Sequence, residues 1–231
     1  MPDINIDNTN SRHNPSDDYV NLVKMYEEKH DQGEGMFNGR SLLKFVDLIK
    51  LYLENNNCKS VLDYGCGKAV LYTDKFSEVT DEIDCPLPEY WGLDECELFD
   101  PGYEKYSKLP IHRKDAVICT DVLEHIPTSD LGWVADEILE RADKMVFLNI
   151  ACYPALKTFK DGTNVHISIF SPKEWIDFFM NKIKDHSNLA IYLFFDVLNE
   201  NNKKVTLEGF KIDTNPRLIQ LKEEVRDARD S

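Results

Sequence analysis

At residues 61–69 the sequence reads Val-Leu-Asp-Tyr-Gly-Cys-Gly-Lys-Ala, a short apolar run followed by an acid and a glycine-rich turn. An apolar segment that begins at Ala69 follows at once and has the character of a helix start. This order predicts a strand, a tight loop and a helix, which form the nucleotide-binding corner of a βαβ unit. Gly65 and Gly67 carry no Cβ atom, so the backbone can turn sharply there and approach a ligand closely.

The acid in this corner distinguishes two classes of ligand. A dinucleotide-binding corner reads Gly-x-Gly-x-x-Gly and places a pyrophosphate at the helix N-terminus. Here Asp63 stands two residues before Gly65, where its charge would repel a pyrophosphate and attract a cationic group such as an ammonium or a sulfonium. The pattern resembles motif I of the class I S-adenosylmethionine-dependent methyltransferases, with Ala69 at a position where many members have glycine.

A second segment carries an independent resemblance to the same superfamily. Residues Ala116–Pro127 contain an apolar strand followed by Thr-Asp-Val-Leu-Glu-His-Ile-Pro, and they resemble motif IV. The resemblance implies S-adenosyl-L-methionine as the cofactor. It also implies that the cofactor is bound by residues of motif I and, at its methionine end, by residues that follow the motif IV strand: Asp63, Tyr64, Gly65, Cys66, Gly67, Thr120, Asp121 and Val122.

A carboxylate is expected at the end of the second strand, where it would accept hydrogen bonds from the ribose hydroxyls. Asp94 and Asp100 are both candidates. We favour Asp100, together with the adjacent Pro101, because Cys96–Phe99 has the pattern of a strand and the Pro-Gly pair ends it. Asp94 stays open as the alternative, since the apolar residues before it could also form a strand.

Three residues are candidates for catalysis. His166 precedes the Ser-Pro start of a predicted helix, as in many small-molecule methyltransferases, and it could remove a proton from a hydroxyl or an amine. A structural histidine bonded to backbone is the alternative. His125 either takes part in catalysis or braces its loop by hydrogen bonds. Tyr153 lies in a loop with aromatic residues and is a candidate for positioning the acceptor.

The sequence offers no convincing metal site. None of the six cysteines form a Cys-x-x-Cys pair, which argues against zinc. Asp121 and Asn149 could contribute to a magnesium site, but a third ligand is not evident, so we predict that no metal is bound. The same cysteine usage is typical of a reducing compartment and indicates the cytoplasm.

The net charge of −15 constrains the partners. A strongly acidic surface repels phosphate backbones, which argues against nucleic acid and favours a small-molecule acceptor. No apolar run approaches the ~20 residues that a membrane span requires, so we expect no membrane association. The oligomeric state is not predictable from these features.

The order of the elements predicts an α/β fold. We expect a Rossmann-like, seven-stranded, mostly parallel sheet with helices on both faces and a terminal antiparallel hairpin, formed by Leu189–Leu198 and Lys204–Ile212. The resemblance implies that the last strand inserts antiparallel to the others.

The chain divides into four predicted parts. They are a disordered acidic arm at 1–18, an N-terminal helical cap at 19–58, a methyltransferase domain at 59–213 with an insertion at about 78–95, and a charged C-terminal tail at 214–231. Tyr26 or Phe37 of the cap could cover the methionine moiety of the cofactor or the acceptor.

The expected function is methyl transfer from S-adenosylmethionine to an oxygen or nitrogen atom of a small molecule by direct in-line displacement. Two alternatives stay open at this point. One is a methyltransferase that acts on a macromolecule, protein or RNA, and the other is a non-catalytic module that binds S-adenosylmethionine.

Overall fold

One β-sheet organises the chain. The computed structural model describes residues 4, 9–30, 39–73, 83, 85–186, 188–206, 209–213 and 217–219. Its strands are β1 (Ser60–Tyr64), β2 (Glu95–Phe99), β3 (Lys114–Thr120), β4 (Ala142–Ala151), β5 (Ala190–Leu198), β6 (Lys204–Thr206), β7 (Gly209–Ile212) and β8 (Arg217–Ile219). They pair in the order β2-β1-β3-β4-β5-β7-β8, and β6 also pairs with β5.

The sheet is parallel from β2 to β5 and antiparallel beyond it. β6 and β7 both run antiparallel along the same edge of β5, where Asp196 pairs with Thr206 and Leu193 pairs with Phe210. The two segments therefore share one position, and the described strands fill seven positions in the sheet. This confirms the predicted Rossmann-like, mostly parallel sheet with a terminal antiparallel hairpin.

The resemblance implied that the last strand inserts antiparallel among the others, and the structure differs from this expectation. β4 pairs directly with β5 in parallel, from Met145 with Ala190 to Ala151 with Asp196. The first seven residues of β5 are buried, and a strand buried on both faces belongs in the interior of a parallel sheet. β7 and β8 consequently add to the outer edge of β5.

Helices cover both faces of the sheet, as expected. Alternate strand residues point to opposite faces, so Leu62 packs in a buried cluster with α5 and α6, whereas Val61 packs in a second cluster with α2. The helices are α1 (Asp17–His30), α2 (Val46–Asn55), α3 (Val70–Thr73), α4 (Leu87–Tyr90), α5 (Leu131–Glu140) and α6 (Pro172–Lys182), with a 3₁₀ helix at Arg40–Phe45. None of the helices in the described part of the chain combines the length and the apolar character that crossing a membrane requires.

Residues 9–18 are ordered, contrary to the expected disordered arm. The guanidinium of Arg12 lies 5.1 Å from the ring centroids of Phe99 and of Trp133, and it pairs with the carboxylate of Glu137. Ser16 donates a hydrogen bond of 2.5 Å to Asp130. These contacts with β2 and α5 offset the ordering entropy that a polar segment cannot offset alone.

Other expected segments lie partly outside the described residues. Of the arm, residues 1–3 and 5–8 are not described, and of the tail only Arg217–Ile219 is, as β8. Within the expected insertion, α4 is described, whereas residues 78–82 and 84 are not, and neither are residues 74–77 before it.

Candidate functional site

A cavity of about 430 Å³ lies at the carboxyl ends of the parallel strands. Its lining residues follow β1 at Gly65, β2 at Asp100, β3 at Asp121 and β4 at Tyr153. The next two strands in the chain, β2 and β3, pair with opposite sides of β1. The cavity therefore lies at the topological switch point where open α/β sheets bind ligands. Its volume is within the range of about 300–1,000 Å³ that is typical of small-molecule pockets.

The loops after β1 and β3 touch at the floor of this cavity. Gly65 has a φ of +85°, and a Cβ atom placed on it would lie 2.3 Å from Cγ2 of Val122. The N–H groups of Gly65 and Cys66 both donate to the carbonyl of Phe99, over 2.7 and 3.1 Å. The glycine corner is therefore tied to the end of β2 and is in direct contact with the loop after β3.

Asp100 connects the glycine corner to the segment after β2. Its Oδ2 accepts a hydrogen bond from the N–H of Gly67 over 2.8 Å, and its Oδ1 accepts one from Gly102 over 2.9 Å. Burial raises the pKa of Asp100, and these two backbone bonds lower it. Each oxygen keeps a further lone pair, and the residue lines the cavity together with Pro101.

Asp94, the alternative ribose acid, lies away from the carboxyl ends of the strands. It directly precedes β2, and its N–H bonds to the carbonyl of Lys59, which precedes β1. Both lie at the amino ends of their strands, so Asp94 does not reach the cavity. The placement favours Asp100 as the acid at the carboxyl end of β2.

Three of the expected cofactor-binding side chains do not line the cavity. Asp63 is buried at the end of β1. Tyr64 donates its hydroxyl to Glu137 over 2.6 Å, on the α5 side of the sheet. Cys66 is buried in the cluster on the opposite face. Gly65, Gly67, Thr120 and Val122, by contrast, do line the cavity.

The charge of Asp63 is strongly disfavoured at its buried position. Burial raises the pKa of Asp63 to about 7, the phenol of Tyr72 opposes this effect, and the nearby Asp100 carboxylate reinforces it. A cationic group that bound near Asp63 would stabilise its charged form.

His125, Tyr153 and His166 line another part of the cavity together. Nδ1 of His166 is 2.7 Å from the carbonyl oxygen of Tyr153, and Nδ1 of His125 is 2.7 Å from that of Val165. Because a carbonyl oxygen can only accept, each Nδ1 carries its hydrogen, and the lone pair of each neutral ring is on Nε2. Burial lowers the pKa of His125, which favours this neutral form.

Glu124 connects the segments that carry these two histidines, because it braces the loop after β3 by hydrogen bonds. Its main-chain oxygen accepts hydrogen bonds from Ile167 and Ser168, each over 2.9 Å. Its side chain is fully buried, and Oε1 accepts a hydrogen bond of 2.8 Å from the N–H of Ala151. The loop after β3 is thereby fixed to the end of β4 and to the segment that carries His166. Burial and the Asp121 carboxylate raise the pKa of Glu124 well above its usual range.

Four side chains converge at this point. Asp121, Glu124, His125 and His166 each offer one potential ligand atom, and these atoms all lie within 4.8 Å of one another. Asn149, which the sequence paired with Asp121 as a possible ligand, instead donates its amide to the carbonyl of Phe194 over 3.3 Å. The spacing Asp-x-x-Glu-His placed three of the four in one turn, but nothing in the sequence placed His166 beside them.

Helix α1 covers the cavity. The hydroxyl of Tyr26 lies 2.7 Å from Nδ1 of His125, and a Cβ on Gly102 would lie 2.9 Å from Cβ of Tyr26. Tyr26 is therefore in the covering position that was expected for it, whereas Phe37 lies outside the described residues. Near Tyr153, Nζ of Lys204 is 5.2 Å from the ring centroid.

Comparison with known proteins adds no family assignment. A scan against models of protein families finds none that matches this chain, and a search of curated proteins finds no match either. The case for a function therefore depends on the geometry of the site.

Gly65→Ala should destabilise the protein by about 2–4 kcal/mol, because it adds a steric clash with Val122 to the cost of a left-handed φ. Gly162→Ala is the matched control: its φ is +88° and no atom lies within 4 Å of the added Cβ, so only the backbone cost of about 1–2 kcal/mol applies.

Urea denaturation of Gly65→Ala, Val122→Ala and the double variant measures the clash. We expect the double variant to be more stable than the sum of the single effects, since a smaller residue 122 makes room for the Cβ. Strict additivity would show that the two loops do not touch.

Asp63→Asn should stabilise the protein at pH 8 by about 2–4 kcal/mol. Because the folded-state pKa of Asp63 is about 7, the folded state binds the proton more tightly than the unfolded chain. The stabilising effect of this proton is complete below about pH 4 and is lost as the pH rises to about 7. Urea denaturation at pH 5 and pH 8 checks this, with the exposed Asp94→Asn as the control. An equal effect of Asp63→Asn at both pH values would contradict the assignment.

Proposed function

We propose that the protein is an S-adenosylmethionine-dependent methyltransferase that acts on an oxygen or nitrogen atom of a small molecule. The observation that carries the proposal is the position of Asp100. Its carboxylate is held by the N–H of Gly67 and lines a cavity at the switch point of the sheet. A carboxylate at this place is suited to accept hydrogen bonds from ribose hydroxyls.

The charge around the cavity supports a cationic nucleoside. Asp100 and Asp121 line it, Asp63 is buried next to the glycine corner, and Glu124 is buried beside Asp121. S-adenosylmethionine carries an ammonium and a sulfonium group, which such carboxylates attract. The pyrophosphate of a dinucleotide would face the same carboxylates and be repelled.

The lining residues suggest a division of labour. In this proposal Asp100 holds the ribose, with Pro101 beside it. Gly65, Gly67 and the segment Thr120–Val122 form the wall at the methionine end. The acceptor binds where His125, His166 and Tyr153 line the cavity, beneath Tyr26.

The mechanism we propose depends mainly on alignment. The bound cofactor would supply an electrophilic methyl group that the acceptor's lone pair displaces in line from sulfur. The residues of this chain hold the two molecules in contact and exclude water, which is the larger contribution to the rate. In its neutral form His166, which donates Nδ1–H to the carbonyl of Tyr153, offers Nε2 to the proton of an acceptor hydroxyl or amine, and this adds a factor of about 10²–10⁴.

The cavity beside Asp121 and His166 has room for a small acceptor, which supports this proposal. A macromolecular substrate would be expected to bind in a broad groove, and a non-catalytic module would need no free space beside its histidines. All six cysteines are free thiols, in keeping with the reducing cytoplasm, which we propose as the compartment.

Calorimetric titration with S-adenosylmethionine and S-adenosylhomocysteine tests the cofactor site. We expect micromolar binding of both. Asp100→Asn should weaken both by about 10–100-fold, because it removes a charged acceptor from two hydroxyls. Asp94→Asn, which removes the same charge at the opposite edge of the sheet, should bind like the parent. Absence of binding of either compound to the parent protein would refute the proposal.

His166→Ala should separate binding from turnover. We expect S-adenosylhomocysteine to bind within a factor of about two of the parent, and methyl transfer to fall about 10²–10⁴-fold. The measurement is the formation of S-adenosylhomocysteine with a panel of hydroxyl- and amine-bearing small molecules. A parallel loss of binding would show that His166 belongs to the cofactor site instead.

A further inference from the structure

The strongest unassigned feature of the molecule is the convergence of Asp121, Glu124, His125 and His166. We infer that these four side chains bind one divalent first-row transition-metal ion, such as Zn²⁺, Co²⁺ or Mn²⁺. The inference depends on the donor atoms alone and does not require that the cofactor proposal be correct.

The spacing of the donors suits a metal ion. Bonds from such an ion to imidazole nitrogen or carboxylate oxygen are about 2.0–2.2 Å long, so two ligands lie about 3.4 Å apart in a tetrahedral site and about 4.2 Å apart on opposite sides of an octahedral one. The four donor atoms all lie within 4.8 Å of one another. Binding would draw them closer together around the ion.

Both histidines are held as metal ligands usually are. Metal-bound imidazoles typically donate their second N–H to a carbonyl or a carboxylate, which fixes the tautomer and orients the ring. His125 and His166 donate Nδ1–H to the carbonyls of Val165 and Tyr153, each over 2.7 Å. The neutral form of each ring therefore has its lone pair on Nε2, and this is the form that binds a cation.

Glu124 provides the second, independent observation. Its side chain is fully buried and Oε1 is occupied by the N–H of Ala151, whereas Oε2 is buried and has no hydrogen-bond partner in the described part of the chain. A buried oxygen without a partner costs folding free energy. A cation at this point would satisfy it and would also relieve the repulsion between Glu124 and Asp121.

The type of ligand narrows the choice of ion. Two imidazoles and two carboxylates suit Zn²⁺, Co²⁺, Fe²⁺ or Mn²⁺ better than Ca²⁺ or Mg²⁺, which prefer oxygen ligands. Asp121 is exposed, and Asp121, His125 and His166 line the cavity. The ion would therefore be accessible to a molecule in the cavity, at the end proposed for the acceptor.

Metal titration of the chelator-treated protein tests the inference. We expect one Zn²⁺ or Co²⁺ per chain, and visible absorption bands of bound Co²⁺. Asp121→Asn and Glu124→Gln, which keep the shape of each side chain, should each weaken binding by about 100-fold or more. The double variant Asp94→Asn/His112→Asn alters the same residue types away from the cavity and should bind like the parent.

A measurement on the parent protein covers the case in which a cluster variant fails to fold. Diethyl pyrocarbonate modifies accessible imidazoles, and mass spectrometry locates the products. Zn²⁺ should slow the modification of His125 and His166 at least about tenfold and leave His13 and His112 unchanged. Binding that survives both carboxylate substitutions, or modification that Zn²⁺ does not slow, would overturn the inference.

The same titration distinguishes two roles for His166. A bound ion would engage the Nε2 lone pair of His166, so a loss of turnover in His166→Ala would then reflect a lost ligand rather than a lost base. Titration of the metal-free protein with S-adenosylhomocysteine is a separate experiment. Its failure would leave the metal result intact, and failure of metal binding would leave the cofactor result intact.

Discussion

The site depends on one buried residue, Glu124. Its main-chain oxygen holds Ile167 and Ser168, and its Oε1 holds the N–H of Ala151 at the end of β4. The contact between His125 and the carbonyl of Val165 and the hydrogen bond from Ser168 to the carbonyl of Ile126 add to these bonds in fixing the segment that carries His166. A fully buried carboxylate at this position lowers the stability of the folded chain, because burial and the neighbouring Asp121 both disfavour its charge. An amide could accept the same backbone hydrogen bonds without that charge, so anchoring alone does not explain a carboxylate at this position. The buried Oε2, which has no hydrogen-bond partner in the described part of the chain, is the atom that the inferred metal ion would satisfy.

At the glycine corner, too, backbone conformations that lower stability occur where a ligand is expected to bind. The loops after β1 and β3 pack so closely that Gly65 has no room for a Cβ beside Val122. Ala69, at the position where related motifs have glycine, adopts a left-handed φ of +51°, which costs an alanine about 1 kcal/mol or more. Close packing of this kind leaves backbone N–H groups rather than side chains at the wall, and Asp100 accepts one of them from Gly67. The corner is therefore rigid at the place where a ligand is expected to contact it.

Much of the fold could be predicted from local patterns, because each strand and helix has its own signal. The β-branched runs at β1 and β3 and the Ser-Pro start of α6 were readable without tertiary information. The order along the sheet beyond β4 was not, since it depends on which strand is buried on both faces. The ordered arm was missed because Arg12 acts through Phe99, Trp133 and Glu137, which lie far from it in sequence. The cluster was missed for the same reason: three of its members share one turn, but His166 joins them through the hydrogen bonds of its neighbours Ile167 and Ser168 to Glu124 and through its own bond to the carbonyl of Tyr153.

The distribution of charge around the cavity connects the two proposals. Asp63 and Asp100 stand near the glycine corner, whereas Asp121 and Glu124 stand beside two histidines that can each offer a neutral nitrogen lone pair. The pair near the glycine corner has backbone N–H groups around it and can bind an organic cation by charge and hydrogen bonds. A carboxylate pair with two imidazoles favours a metal ion, which needs directed lone pairs. The surroundings of Asp63 and Asp100 therefore suit the proposed cofactor, and those of Asp121 and Glu124 suit the inferred metal ion. Each cation would also remove part of the free energy that its own carboxylates cost the folded chain, so ligand binding and stability should be coupled at both ends of the cavity.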